Sequence, residues 1–206
     1  EAAWEISNYL KECVAEDRKL KKSHLTDYLN YKMRNWKALD LCAGCGIIGF
    51  DLNFHLPIIS HIDFLEVQGE YRAHFEKNKQ LVKNEGQFNF VEANYQEFLG
   101  EAHKEQYDLI FSNPPYFQLG KGKLSPNEFK NRCRFFMDST FENLIKVYIN
   151  CLHPEGEGFL LLRDLDDHGI DLFAHLRNLI KGQLSVENLA MIRGTFLLKL
   201  SKKMPP

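Results

Sequence analysis

The fold is decided by residues 37–54, KALDLCAGCGIIGFDLNF. The first five residues are mostly apolar and predict a buried strand, and apolar residues recur at helical spacing beyond the glycines. Gly44 and Gly46 allow a tight turn between the two elements and the close approach of a ligand to the backbone. The predicted helix offers free N–H groups at its start. The stretch therefore predicts a strand–turn–helix unit that could hold a nucleotide-like ligand, although Cys42 replaces the first glycine of the dinucleotide pattern.

An acidic residue follows the second predicted strand. Residues 60–65 form that strand, and Glu66 ends it about twenty positions after the glycine turn. This spacing is typical of an acid that binds a ribose diol. Asp63 is a weaker candidate for the same role, because it lies inside the predicted strand.

A third predicted strand, residues 88–91, is also followed by polar residues. Glu92 and Asn94 lie at its end, on either side of the small Ala93. Either side chain could bond an adenine amino group, or both could serve only the turn.

The fourth predicted strand runs into an Asn-Pro-Pro-Tyr motif. Residues 107–111 are apolar enough for a buried strand, and Asn113, Pro114, Pro115 and Tyr116 follow Ser112. Two prolines exclude a helix and leave a stiff loop with free carbonyls. The Asn113 side-chain oxygen and a proline carbonyl could accept both protons of a planar NH2 group, while Tyr116 stacks on its plane. The alternative is a strand followed by a proline-rich turn.

Basic residues cluster after this motif. Residues 118–126 are rich in glycine and lysine, which predicts a mobile lid. The positive residues of this part of the chain are Lys121, Lys123, Lys130, Arg132 and Arg134. They could bind substrate phosphates or belong to a solvated loop.

The remaining chain alternates between helices and strands. We expect helical structure from residue 1 to about 33, with Ser23 capping a second helix. The other expected elements are a helix from 68 to about 83, a helix capped within 138–140 and ending at Cys151, a strand at 159–162, a helix at 172–180, and strands at 186–192 and 195–200. The two-residue link Arg193-Gly194 predicts an antiparallel hairpin.

Composition limits the possible classes of protein. The 206 residues suffice for a sizeable core, and a net charge of -2 means that any nucleic-acid contact needs a local positive patch. No apolar run approaches the ~20 residues of a membrane span, and no signal-peptide pattern is present, so we expect a cytoplasmic protein. The odd number of cysteines favours reduced thiols: Cys13, Cys42, Cys45, Cys133 and Cys151. Cys42 and Cys45 form a C-x-x-C pattern that could be redox-active, but packing in a tight turn explains them better.

Seven strands that alternate with helices and end in a hairpin, with these three loops in this order, resemble class I S-adenosylmethionine-dependent methyltransferases. The resemblance covers about residues 36–200. It implies a seven-stranded Rossmann-like α/β sheet with helices on both faces and a C-terminal antiparallel hairpin. Residues 1–35 would form an N-terminal helical segment, and residues 36–206 the S-adenosylmethionine-binding domain.

The closer similarity is to small bacterial tRNA (adenine-N6)-methyltransferases. It is carried by the Asn-Pro-Pro-Tyr motif, which marks methylation of an amino nitrogen in that superfamily, by Lys123-x-Ser125-Pro126 and by Arg132-x-Arg134. It implies that S-adenosylmethionine is held by Asp40, Cys42, Gly44, Gly46, Glu66, Asn94 and Asn113. It implies that Asn113, Pro114, Pro115 and Tyr116 hold the target amine, and that Tyr116, Phe117, Lys121, Lys123, Arg132 and Arg134 contact the substrate. No metal is implied.

This resemblance implies an RNA substrate, either tRNA or rRNA. A protein glutamine, which also carries a planar amide NH2, is the main alternative. DNA adenine, an inactive cofactor-binding scaffold and a thiol redox protein are further alternatives. Two residues depart from the family pattern, because Cys42 replaces a usual glycine and Asn94 replaces a common aspartate. We expect both departures to weaken cofactor binding.

Overall fold

A seven-stranded sheet forms the centre of the molecule in the computed structural model, which describes residues 1–20, 36–83, 86–120, 122–163 and 171–203. The strands are β1 (Trp36–Leu41), β2 (Ile59–Glu66), β3 (Gln87–Glu92), β4 (Tyr107–Ser112), β5 (Leu152–Arg163), β6 (Leu184–Ile192) and β7 (Thr195–Lys202). The helices are α1 (Ala2–Leu20), α2 (Ile47–His55), α3 (Arg72–Lys79), α4 (Glu128–Arg132), α5 (Phe141–Cys151) and α6 (Leu172–Leu179).

The strand order β3-β2-β1-β4-β5-β7-β6 creates a crevice between β1 and β4. Both strands are parallel and buried on both faces, in agreement with their apolar sequences. The chain leaves β1 toward one edge of the sheet and later returns to form β4 on the other side, so ligands are expected at the carboxyl ends of these strands. Because Leu41 pairs with Ser112, the glycine turn and the Asn-Pro-Pro-Tyr loop leave the sheet side by side.

Helices cover both faces of the sheet, as predicted. One core packs α5 and α6 against the sheet, and the other packs α1, α2 and α3 against the opposite face. Ala3, Ile6 and Leu10 of α1 belong to the second core, together with Trp36 and Ala38 of β1. The described part of the N-terminal region therefore packs on the same sheet as the rest of the chain.

The C-terminal hairpin is confirmed. β7 pairs antiparallel with both β5 and β6, and Arg193 and Gly194 connect β6 to β7. Their φ angles are 51° and 78°, which is the left-handed geometry of a two-residue hairpin turn.

Several boundaries differ from the sequence-based expectation. The expected start of a helix at Gln68 is wrong, because its backbone N–H donates to the Glu66 carboxylate (2.9 Å) and its backbone is extended. A 3-10 turn at Gly69–Tyr71 precedes α3 instead. Strand β5 begins at Leu152, seven residues earlier than expected, and Gly156 lets it pass close to the β4 backbone. Helix α4 was not predicted, and the predicted helix after Ser23 lies outside the described residues.

Candidate functional site

A cavity of about 410 Å³ opens at the carboxyl ends of β1 to β4. Its volume suits a small-molecule ligand. The predicted site residues on its wall are Asp40, Cys42, Gly44, Glu66, Asn94, Asn113, Pro115 and Arg132. The cavity wall does not include Gly46, Pro114, Tyr116, Phe117, Lys123 or Arg134, and Lys121 lies outside the described residues.

The glycine turn has a left-handed backbone at three positions. The φ angles are 59° at Cys42, 55° at Gly44 and 79° at Gly46. A side chain at Gly46 would also meet the ring of Phe50 at 2.9 Å. Gly46 therefore shapes the turn from behind the cavity, whereas Gly44 lies on the wall.

Asp40 is a buried carboxyl group at one end of the cavity. Its Oδ2 accepts the Gly49 backbone N–H at 3.2 Å. Burial raises the pKa of Asp40 well above its usual value, and the nearby negative charge of Glu66 raises it further. The single hydrogen bond from Gly49 lowers this pKa but does not compensate for the lost hydration. The carboxylate would gain stability from a positive charge placed in the cavity.

The thiols of the C-x-x-C pattern are free. Burial raises the pKa of the Cys42 thiol, in the opposite direction to the activation that a redox cysteine needs. The structure therefore favours a packing role for Cys42.

Glu66 is fixed at the cavity wall by backbone donors. Its Oε2 accepts the Gly44 N–H at 2.8 Å, and its Oε1 accepts the Gln68 N–H at 2.9 Å. Burial raises the pKa of Glu66, while these two bonds act in the opposite sense. Each oxygen keeps a further lone pair, so the carboxylate can accept hydrogen bonds from two neighbouring hydroxyl groups.

Asp63 serves a different purpose from Glu66. It accepts hydrogen bonds from Asn89 (2.9 Å) and Tyr107 (2.8 Å) and pairs with Lys37 (3.2 Å), inside the sheet and away from the cavity. Of the two acids on β2, Asp63 therefore has a structural role, whereas Glu66 lies on the cavity wall.

Asn94 caps the 3-10 turn at Tyr95–Leu99. Its Oδ1 accepts the Gln96 N–H at 3.0 Å, and its Nδ2 donates to the Asp138 carbonyl at 2.7 Å. The other candidate at this position, Glu92, pairs instead with Arg72 at 3.2 Å and is absent from the cavity wall.

The Asn-Pro-Pro-Tyr loop reaches the cavity through its first and third residues. Asn113 is exposed, and it lines the cavity together with Pro115. The Tyr116 hydroxyl donates to Asn113 Oδ1 at 2.5 Å. Burial raises the pKa of the Tyr116 phenol, although Thr195 and the charge of Arg163 lower it. Asn113 Oδ1, the acceptor expected to hold a target amine, thus already accepts one hydrogen bond from a neutral phenol in this structure.

Residues 132–139 form a strap across the cavity, which the sequence did not reveal. The carbonyl of Arg134 accepts the backbone N–H groups of Tyr116 (3.1 Å) and Phe117 (2.9 Å), and the N–H of Phe136 donates to Phe117 (2.9 Å). The strap adds several residues to the wall: Cys133, Phe135, Phe136, Met137, Asp138 and Ser139. The sequence singled out only Arg132, Arg134 and a helix cap within 138–140 in this stretch, and the cap of α5 is Thr140.

The basic residues divide into two groups. Arg132 faces the cavity and pairs with Glu128 (3.7 Å) and Asp138 (3.4 Å), so its charge is balanced within the protein. Arg134 is exposed, with its guanidinium 5.5 Å from the centre of the Phe117 ring, and Lys123 is also exposed. The exposed cations therefore lie outside the cavity.

The described residues contain neither a cluster of metal ligands nor a helix that could span a membrane. No group of three or more His, Cys, Asp or Glu side chains among them is placed to hold a metal ion. In the same part of the chain, every helix is too short or too polar to span a bilayer.

The chain resembles proteins of known classes. A 131-residue stretch is 28% identical to the tRNA1(Val) (adenine(37)-N6)-methyltransferase of Dyadobacter fermentans, covering 64% of this chain and 52% of the relative. A 120-residue stretch is 25% identical to the enzyme of the same name from Escherichia fergusonii, covering 58% and 48%. The matched stretches thus span about half the length of these relatives.

The solved structure of TrmN from Thermus thermophilus superposes with a TM-score of 0.56 at 14% identity, covering 86% of this chain and 48% of that one. This likeness shows the fold. The model of the family described as methyltransferase small domain matches residues 22–130, just over half of the chain. By that match, the chain belongs to the methyltransferase small domain family.

Proposed function

We propose that this protein is an S-adenosylmethionine-dependent N-methyltransferase that acts on the exocyclic amino group of adenine in structured RNA, with tRNA as the favoured substrate. One observation carries the proposal: Asn113 and Pro115 line the same cavity as Asp40, Gly44 and Glu66. A loop suited to a planar amine and a set of groups suited to the cofactor therefore border one space. The names of the relatives favour tRNA as the RNA.

The residues present fit S-adenosylmethionine. Glu66 keeps free lone pairs toward the cavity for a ribose diol, and Gly44 lets the cofactor approach the backbone. Asp40 is a buried carboxyl group with one neutral donor, which suits the positively charged methionine end. When bound, the cofactor supplies an electrophilic methyl group on a sulfonium.

The loop holds the target amine by accepting its protons. Asn113 Oδ1 and the Pro114 carbonyl bond the two N–H groups, which directs the nitrogen lone pair away from the loop and toward the cavity. The Tyr116 hydroxyl uses one lone pair of Asn113 Oδ1 in the structure and leaves the other for the amine. The ring of Tyr116 can then stack on the adenine. Positioning, rather than a strong base, supplies the acceleration.

The exposed cations suit the phosphates that flank a flipped adenine. Lys123 follows the target loop in the chain, Arg134 is bonded to that loop through its carbonyl, and both side chains are open to solvent. Arg132 contributes to the strap over the cavity instead, because it pairs with acids. Lys121 remains a proposed phosphate contact on sequence grounds alone.

Transfer of a labelled methyl group tests this function. The protein is incubated with S-adenosylmethionine carrying a radioactive methyl group and separate fractions of tRNA, rRNA, DNA and protein. We expect label in tRNA, recovered as N6-methyladenosine after digestion to nucleosides. Label found only in protein would overturn the RNA substrate in favour of glutamine, and loss of the signal in Asn113→Ala would tie it to the proposed loop.

A further inference from the structure

Asn94 holds the protein backbone with both ends of its side chain. Its oxygen accepts the Gln96 N–H (3.0 Å), and its NH2 group donates to the Asp138 carbonyl (2.7 Å). An aspartate at position 94 could not make the second bond, because a carboxylate has no proton to donate. The asparagine that departs from the family pattern therefore has a specific task, which is to hold the strap at Asp138.

Two neighbouring contacts hold the same stretch of the strap. Gln96 Nε2 donates to Ser139 Oγ at 2.8 Å, and the Tyr95 hydroxyl donates to the Thr140 carbonyl at 2.9 Å. Residues 94–96 thus fix the last two residues of the strap, Asp138 and Ser139, and the Thr140 that follows it. Asp138 lines the cavity together with residues 93–95, and the bond from Asn94 fixes its backbone there.

The Asp138 carboxylate retains capacity to accept hydrogen bonds. Its side chain is 23% exposed, and its ion pair with Arg132 is long, with 3.4 Å between Oδ1 and Nη2. Burial is the main cause that raises the pKa of Tyr95, Glu66 and Cys42, which line the cavity, and the charge of Asp138 adds a smaller contribution in the same direction. The negative charge of Asp138 is therefore felt inside the cavity.

We propose that Asp138, rather than Asn94, accepts a hydrogen bond from the exocyclic amino group of the cofactor's adenine, a proposal that rests on the cofactor assigned above. The family pattern places an acid for this amine at the end of β3. Here the acid comes from the strap after the target loop, and Asn94 is a positioning residue that holds it. The strap also bonds the target loop through Arg134 and Phe136, so recognition of adenine and placement of the target loop depend on one segment.

Binding calorimetry with two ligands tests the proposal without any turnover. The first ligand is S-adenosylhomocysteine, and the second is its analogue in which hydrogen replaces the exocyclic amino group of the purine. For the wild-type protein we expect the first to bind about 10- to 100-fold more tightly, because the analogue leaves the partly buried Asp138 carboxylate without its donor. In Asp138→Ala we expect this ratio to fall close to one.

The matched control is Glu128→Gln, which changes the exposed second acid that pairs with Arg132 (3.7 Å) and leaves Asp138 in place. This variant should keep the wild-type ratio. An unchanged ratio in Asp138→Ala would return the acceptor role to Asn94 and overturn the proposal. Equal binding of the two ligands by the wild-type protein would overturn it as well, without depending on the folding of any variant. If the wild-type protein bound neither ligand, the assigned cofactor itself would be wrong.

Discussion

At the scale of single residues, Cys42 occupies a backbone position that suits glycine. Among the described residues, only Cys42, Glu105 and Arg193 have a positive φ without being glycine. A left-handed backbone costs a residue with a Cβ about 1–2 kcal/mol. The sequence showed that a usual glycine was missing here, and the structure shows that the glycine geometry has been kept.

The ranking of two substitutions tests this cost. Within a helix or strand, a glycine makes a protein less stable than an alanine does, by about 0.5–1 kcal/mol. At position 42 we expect the reverse, with Cys42→Gly more stable than Cys42→Ala by about 1 kcal/mol in urea unfolding. Ala43→Gly is the control, because it should show the ordinary loss of stability. A less stable Cys42→Gly would mean that the left-handed backbone carries no strain.

Substitution of Asn113 should affect turnover without affecting binding of the cofactor. Its side chain borders the cavity but is exposed, and its oxygen accepts a hydrogen bond from the Tyr116 hydroxyl. We expect Asn113→Ala to bind S-adenosylhomocysteine within about twofold of wild type while kcat falls by about a hundredfold or more, as for other preorganised hydrogen-bond groups. Calorimetry and single-turnover methyl transfer would measure the two effects.

Tyr116→Phe is the companion variant to Asn113→Ala. It removes the hydroxyl that donates to Asn113 Oδ1 and keeps the ring that is proposed to stack on the target. It should therefore retain kcat, with a KM equal to or lower than that of wild type. A loss of kcat as large as that of Asn113→Ala would show that the hydroxyl itself takes part in the reaction.

At the scale of elements, the sequence predicted what depends on local pattern. The apolar runs of β1 and β4, the glycine turn and the Arg193-Gly194 hairpin all carry their signal within a few residues. The early start of β5 has no such local signal, because it depends on the close contact of Gly156 with the neighbouring strand β4. The strap over the cavity was also missed, since its hydrogen bonds to Asn94 and Phe117 join residues that are far apart in the chain.

The parallel strands are linked by a buried acid on β2. Burial alone would raise the pKa of Asp63, but hydrogen bonds from Asn89, Tyr107 and His61, with the charge of Lys37, hold it below its usual value. These partners come from β1, β2, β3 and β4. The ionised carboxylate therefore stabilises the pairing of four strands.

The pH dependence of unfolding tests this link. Because the pKa is lower in the folded state, the stabilisation is present above the unfolded pKa of about 3.9 and is lost as the pH falls through the folded pKa. Asp63→Asn should cost about 2–3 kcal/mol at pH 7, measured by urea unfolding, and should flatten the acid decline. Glu76→Gln, an exposed change on α3, should leave the wild-type profile intact. A parallel decline in Asp63→Asn and wild type would contradict the assignment.

At the scale of the whole molecule, the carboxyl groups act on stability in opposite directions. Asp63 favours the folded state when it is ionised, whereas burial raises the pKa of Asp40 and so makes its ionisation unfavourable in the folded protein. The unfolded chain can ionise Asp40 freely once the pH exceeds about 3.9, so the cost to stability grows as the pH rises through the folded pKa. Asp40 on the cavity wall therefore lowers the stability of the ligand-free protein at neutral pH.

Asp40→Asn removes that cost and should also weaken the site. We expect no difference in stability from wild type near pH 3, and a gain of about 1–3 kcal/mol for the ligand-free variant at pH 8, measured by urea unfolding. S-adenosylhomocysteine keeps the positively charged amino group of the methionine end that Asp40 is proposed to hold, so its affinity should fall by about tenfold or more in the variant. A variant that is less stable than wild type at pH 8 would show that the buried carboxyl group is needed for folding. An unchanged affinity for S-adenosylhomocysteine would show that the charge of Asp40 does not act on the methionine end.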